Sequence, residues 1–199
     1  MAQAHAVGAA ASGPLYAEAI ACTERSGHIR LSRTLHNNAG CAALEIGDIP
    51  AARAHLEAAI RAAATIGEPH PIASGNLGWV LRAEHDHHSA RSRFEEALRT
   101  SRRIGNNRGM AGAIDGLASL ATDLGNWHRA AALHGAGQAL LDKTGVQLEA
   151  LDDRFRQESL GQARAAVGDA QVQRAYARGM ALSLGQVIGL ALGGALPGT

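Results

Sequence analysis

The sequence predicts an all-α chain built as a stack of helical hairpins, and three observations predict it. Hydrophobic residues make up 46% of the 199 residues but aromatics only 3%. A core with so few rings is filled by Ala, Leu and Ile at the close spacing of helix on helix, and β-branched residues are sparse. The chain also repeats itself. At an offset of 38 residues Asn38, Gly40, Asp48, Ala52, Arg53, Glu57, Ala59, Ile66 and Gly67 fall on Asn76, Gly78, Asp86, Ala90, Arg91, Glu95, Ala97, Ile104 and Gly105. At a further offset of 40, Leu77, Ala90 and Gly105 fall on Leu117, Ala130 and Gly145. Finally, each repeat carries a turn at its middle and a glycine at its end, the punctuation of two helices per unit.

Taken in order, residues 1–13 are Ala- and Gly-rich without Lys or Arg, so they read as a flexible segment and not as a signal peptide. Residues 14–27 are a half unit. Tyr16, Ala19, Ile20 and Gly27 align with Leu56, Ala59, Ile60 and Gly67 of a second helix whose first helix is missing. Three full units follow at 31–67, 71–105 and 109–145. Their first helices are predicted over 31–46, 71–84 and 109–124, their second over 49–66, 88–104 and 127–144. The turns between them are Gly47-Asp48, His85-Asp86 and Gly125-Asn126. Glycine supplies positive φ there, and Asp or Asn can cap the next helix. Pro50 sits in a first turn, where its missing N–H costs nothing. Gly67, Gly105 and Gly145 close the second helices. Small residues at Gly40, Gly78, Ala118, Ala52, Ala90 and Ala130 mark close helix approach. Residues 146–193 read as capping helices over 147–167, 169–181 and 184–192, the last begun by Ser183. Residues 194–199 read as a tail. A single hairpin cannot bury its apolar face, so the units must stack.

The pattern resembles the tetratricopeptide repeat: Leu77-Gly78 in a first helix, and small–large–small runs Ala52, Leu56, Ala59 and Ala90, Phe94, Ala97 in second helices. Departures are the longer period, Ser74 or His36 at the Trp position, and no closing Pro. In the third unit His134 stands at the large apolar position and Gly137 at the second Ala. The resemblance implies a right-handed superhelical solenoid whose first helices line a concave groove. Two further stretches, residues 133–145 (LHGAGQALLDKTG) and 176–184 (YARGMALSL), resemble the C-terminal region of large actinobacterial LuxR-type, MalT-like or cyclase-linked NTPase regulators. Without a G-x-x-x-x-G-K-[ST] loop, this implies the sensing or assembly arm alone.

In that register the groove positions are Asn37, Cys41 and Leu44; Gly75, Trp79 and Arg82; and Asp115, Ser119 and Thr122. Trp79 is the natural anchor for a peptide or flat ligand, unless it packs as core. Tyr16 and Ile20, on the half unit, leave an apolar stripe that marks either a cut chain or a homodimer interface. The expected function is a non-catalytic protein-interaction or effector-sensing module, the arm of a transcriptional regulator, with a protein, peptide or small effector as partner. A free-standing scaffold is the alternative and an enzyme on a helical scaffold the third reading.

Other features read blandly. The net charge of +1 recruits neither nucleic acid nor a membrane surface, and no apolar run approaches the ~18 residues of a membrane helix, so a cytoplasmic location is expected. Cys22 and Cys41 lack metal or redox spacing and read as small core residues. His85-Asp86-His87-His88 reads as a solvated turn in which Asp86 caps a helix, so no metal or other cofactor is expected. Arg91, Arg93, Arg99, Arg102, Arg103 and Arg108 make a basic helix that Glu95 and Glu96 offset by i, i+3 and i+4 pairs. No Ser-His-Asp order stands out, and Asp152 and Asp153 read as first-turn charges facing the helix dipole.

Overall fold

The computed structural model describes residues 2–195, with side chains from Ser12 onward. Met1 and most of the expected tail, 196–199, lie outside the described residues. Ten α-helices and no strand occur among the described residues: α1 Ala2–Ser26, α2 Ile29–Ile46, α3 Ile49–Thr65, α4 Pro71–Ala83, α5 His87–Ile104, α6 Asn107–Asp123, α7 Trp127–Thr144, α8 Ala150–Val167, α9 Asp169–Met180 and α10 Leu184–Ala191. This is the all-α helical-hairpin repeat that the sequence predicts. None of these helices is long and apolar enough to cross a membrane.

The helix ends follow from side-chain chemistry. Asp48 accepts the Ala51 N–H at 3.1 Å, Asp86 the Ser89 N–H at 3.0 Å and Asn106 the Gly109 N–H at 2.9 Å, each serving an orphan first-turn donor. His70 does the same with Nδ1, from the Ala73 N–H at 3.4 Å. Burial, with Arg33 adding to it, lowers the pKa of His70 to about 4, so the ring stays a neutral acceptor. Asn126 precedes α7 without a capping bond, contrary to expectation. Gly47 and Gly125 take φ of +79° and +72° at the hairpin turns. The equivalent residue of the middle hairpin is His85, at φ +62°, a left-handed conformation that a side chain makes costly.

The chain divides into two compact units, residues 1–90 and 91–199. In the first, α2 packs against α1 and α3, and α3 against α4. Ala52, Leu56, Ala59 and Ala63 of α3 are fully or almost fully buried. Gly40 of α2 admits Leu56, whose Cγ would lie only 2.6 Å from a Cβ there. The stretch expected to be flexible is largely helical: α1 begins at Ala2 and runs through Pro14. Cys22 is exposed rather than core, and Cys41 is half-buried.

In the second unit, α6 and α7 form the hairpin against which α8 and α9 pack. Ala131, Leu160, Ala163, Val172 and Ala175 form an apolar cluster joined by the partly buried Trp127, Val167 and Tyr176. Here α7 and α9 touch backbone to backbone. A Cβ on Gly135 would overlap the Tyr176 carbonyl, and one on Gly179 the Ala132 carbonyl. Only glycine allows that approach from both sides.

Candidate functional site

On the first unit, Asn37 of α2 and Asn76 of α4 form an amide pair, with Asn76 Nδ2 donating to Asn37 Oδ1 at 3.0 Å and to Cys41 Sγ at 3.1 Å. Asn37 in turn donates to Asn38 Oδ1 at 3.3 Å. Of the groove positions expected here, Asn37 and Leu44 are buried, whereas Cys41, Gly75 and Arg82 are partly exposed. Trp79 is core: it is 4% exposed, among Leu77, Val80 and Leu81, also buried. Trp79 shares its face of α4 with Gly75 and Arg82, which are partly exposed, yet its own ring is covered. The Arg82 guanidinium lies 5.6 Å from the Trp79 ring centroid. Ile20, expected at an open edge, is buried, Tyr16 is partly buried, and Leu15 beside them is 68% exposed. The reason is that α1 turns the Ile20 side toward its own neighbour α2, as an i, i+4 stripe with Tyr16 dictates.

The third-unit groove positions are filled by the chain itself. Asp115, Ser119 and Thr122 are each at most 1% exposed. Arg156 of α8 grips the Asp115 carboxylate through Nε at 3.1 Å and Nη2 at 2.7 Å. Its Nη1 donates to Gln138 Oε1 at 2.5 Å. His134 Nδ1 lies 2.8 Å from Asp115 Oδ1, and His134 Nε2 2.8 Å from Ser159 Oγ. Ser159 Oγ is 2.6 Å from Thr122 Oγ1. A carboxylate only accepts, so Nδ1 carries a proton; Thr122 Oγ1, besides meeting Ser159, donates to the Ala118 carbonyl at 3.3 Å. Every member is satisfied, the condition under which a buried polar network holds helices in one register.

The order carboxylate–imidazole–hydroxyl is that of a Ser-His-Asp relay, which the sequence did not suggest because the residues come from three helices. Its nucleophile is closed. Ser159 is 1% exposed, its oxygen is engaged by Thr122, and the bidentate Arg156 neutralises Asp115. These contacts explain both departures in the third unit. His134 replaces Leu56 and Phe94 of the earlier units to reach Asp115. Gly137 replaces Ala59 and Ala97 because a Cβ would sit 3.3 Å from Arg156 Nη2 and 3.4 Å from Asp115 Oδ1.

Beside this network Asp152 is partly buried. Burial, then Asp115 and Glu149, raise its pKa from 3.8 to about 6, against the opposing Arg108 and Arg156. Its role therefore exceeds that of a solvated first-turn charge. Asp153, its neighbour, is exposed. Tyr176 has its pKa raised by burial. At the His85 turn the His85 and His87 rings lie 6.2 Å apart, and no group of three metal-ligating side chains gathers among the described residues. On the basic helix Glu95 takes Arg91 at 3.8 Å and Arg99 at 2.8 Å, and Glu96 takes Arg93 at 3.1 Å. In the first unit His36 and His55 meet Nδ1 to Nδ1 at 3.1 Å, with Glu24 3.6 Å from His36 Nε2.

The two stretches that resemble the regulators, 133–145 and 176–184, thus supply the two sides of the α7–α9 crossing, and the first also supplies the network's imidazole. No curated protein and no solved structure matches the chain. Residues 30–103 match the tetratricopeptide repeat family, so the chain carries a tetratricopeptide-like region, the kind of helical repeat that serves protein interaction.

Proposed function

We propose that the chain is a non-catalytic interaction module, the C-terminal arm of a cytoplasmic transcriptional regulator, holding a peptide, a protein or a small effector along the first-helix faces of α2 and α4. The repeats would span 14–145 and the cap 146–193. The observation that carries this reading is the tetratricopeptide match over 30–103. Within it Cys41, Gly75 and Arg82 remain partly exposed beside the Asn37–Asn76 pair, so polar groups are offered to a backbone laid across them. The regulator assignment is supported by the resemblance of 133–145 and 176–184. The closed state of Ser159 favours binding over hydrolysis.

A photo-crosslinking residue placed at Gly75 or Arg82 in cells tests the groove. One discrete partner, lost on Asn76→Ala, is the expected result; no adduct, or adducts indifferent to Asn76, refutes it. Deleting the gene and sequencing RNA tests the regulator assignment. A defined set of changed transcripts supports it, and an unchanged transcriptome leaves the free-standing scaffold. A second copy meeting the Leu15–Tyr16 edge is tested by light scattering after size exclusion, where a clean monomer at high concentration ends that proposal.

A further inference from the structure

We propose that a half-open pocket lined by α7, α8 and α9 binds a small zwitterion of amino-acid size, its carboxylate held by Arg156 and Arg164 and its ammonium by Asp153. The pocket has a volume of about 180 Å³ and includes Arg156, Arg164, Asp153 and Tyr176 in a wall that also contains Leu160 and Val172. That volume lies below the roughly 300–1,000 Å³ of drug-sized sites, so the occupant is small.

The chemistry follows from which hydrogen bonds are already spent. Arg156 is fixed by Asp115 through Nε and Nη2 and by Gln138 through Nη1, which leaves one N–H on each terminal nitrogen among the described bonds. The remaining N–H groups of an immobilised guanidinium can meet a carboxylate oxygen, and the cost of ordering the side chain has been met by folding. Arg164 is 39% exposed and pairs with an Asp169 that is 68% exposed, at 3.2 Å. Such a surface pair is worth little, so Arg164 can turn to a ligand. Asp153 accepts the Gln157 amide at 3.4 Å and acts on Arg156 through its charge. With Arg156 already balanced by Asp115, the wall offers one loosely paired cation, Arg164, and one carboxylate, Asp153, beside Leu160 and Val172, which suits an aliphatic zwitterion better than a simple anion.

Titration calorimetry and amide chemical-shift mapping on the full chain test this. The probes are the protein amino acids singly, with acetate and butylamine as the half-ligands. The expected result is saturable binding of at least one amino acid, mapped to α8 and α9, with acetate and butylamine each about tenfold weaker or more, a difference of about 1.4 kcal/mol. Arg164→Gln and Asp153→Asn, both on the surface, should each weaken it about as much while leaving helicity and melting unchanged. No binding by any amino acid overturns the proposal. So does acetate binding as tightly as the amino acid, or binding indifferent to both substitutions.

Discussion

Asp152→Asn should stabilise the second unit near neutral pH and leave it unchanged in acid. Asp152 sits in the first turn of α8, where it meets Asp115 and Glu149 as well as Arg108 and Arg156, and burial with the like charges raises its pKa to about 6 from the ordinary 3.8. A folded-state value above the unfolded one means the proton is held more tightly in the folded chain. The associated stability is therefore fully present below about pH 3.8 and is lost as pH rises through about 6. At 1.36 kcal/mol per pH unit the gap corresponds to roughly 3 kcal/mol, and about 2 kcal/mol after discounting for the partial exposure of the side chain. Asn keeps the shape without the charge. The assay is urea unfolding followed by Trp127 fluorescence in a Trp79→Phe background, since the chain has two tryptophans and Trp127 packs on the α8–α9 cluster. The variant should gain on its parent progressively between pH 4 and pH 7, across the interval from 3.8 to about 6. A constant difference between the two proteins across that range would refute the reasoning.

Gly179→Ala should cost about 1–3 kcal/mol, because its Cβ would strike the Ala132 backbone and α9 must back away from α7. Gly161→Ala meets nothing within 4 Å and should instead gain about 0.5–1 kcal/mol; equal urea midpoints for the two would contradict the crossing geometry. His85→Gly should gain about 0.5–1 kcal/mol by relieving a positive φ, read as a raised melting temperature, and a loss would mean that the His85 side chain stabilises its turn. Arg156→Leu strands the buried Asp115 and should cost about 3–5 kcal/mol, with part of the loss recovered when Asp115→Asn is added. Additive losses in that double variant, measured by the same urea assay, would show that the pair is not coupled.

The helix boundaries were legible because they depend on local chemistry. Asp48, Asp86 and Asn106 cap the helices they precede, and Gly47, Gly67, Gly105 and Gly145 end helices through a conformation that belongs to single residues. The repeat period was legible for a related reason: Ala52, Leu56 and Ala59 meet the same steric demand as Ala90, Phe94 and Ala97, so the same residue sizes recur. The groove assignments carried over less well. Trp79 was placed by register alone, and register says which helical face a residue lies on but not whether another element covers that face. Asp115 and Thr122 had the polarity of ligand-facing groups, yet the same polarity serves a contact with α8, while the buried Ser119 hydroxyl meets no hydrogen-bond partner among the described residues.

The sequence by itself determined that the chain is all-α, where its hairpins turn, and that His134 and Gly137 break the pattern of the units before them. Only the tertiary structure decided why they do. Asp115, His134 and the Arg156–Ser159 pair lie on three different helices, about twenty residues apart from one to the next, and no short-range rule joins the three. They meet because α6, α7 and α8 pack on one another, and because α8 brings a guanidinium to a carboxylate that would otherwise be buried without a counter-charge.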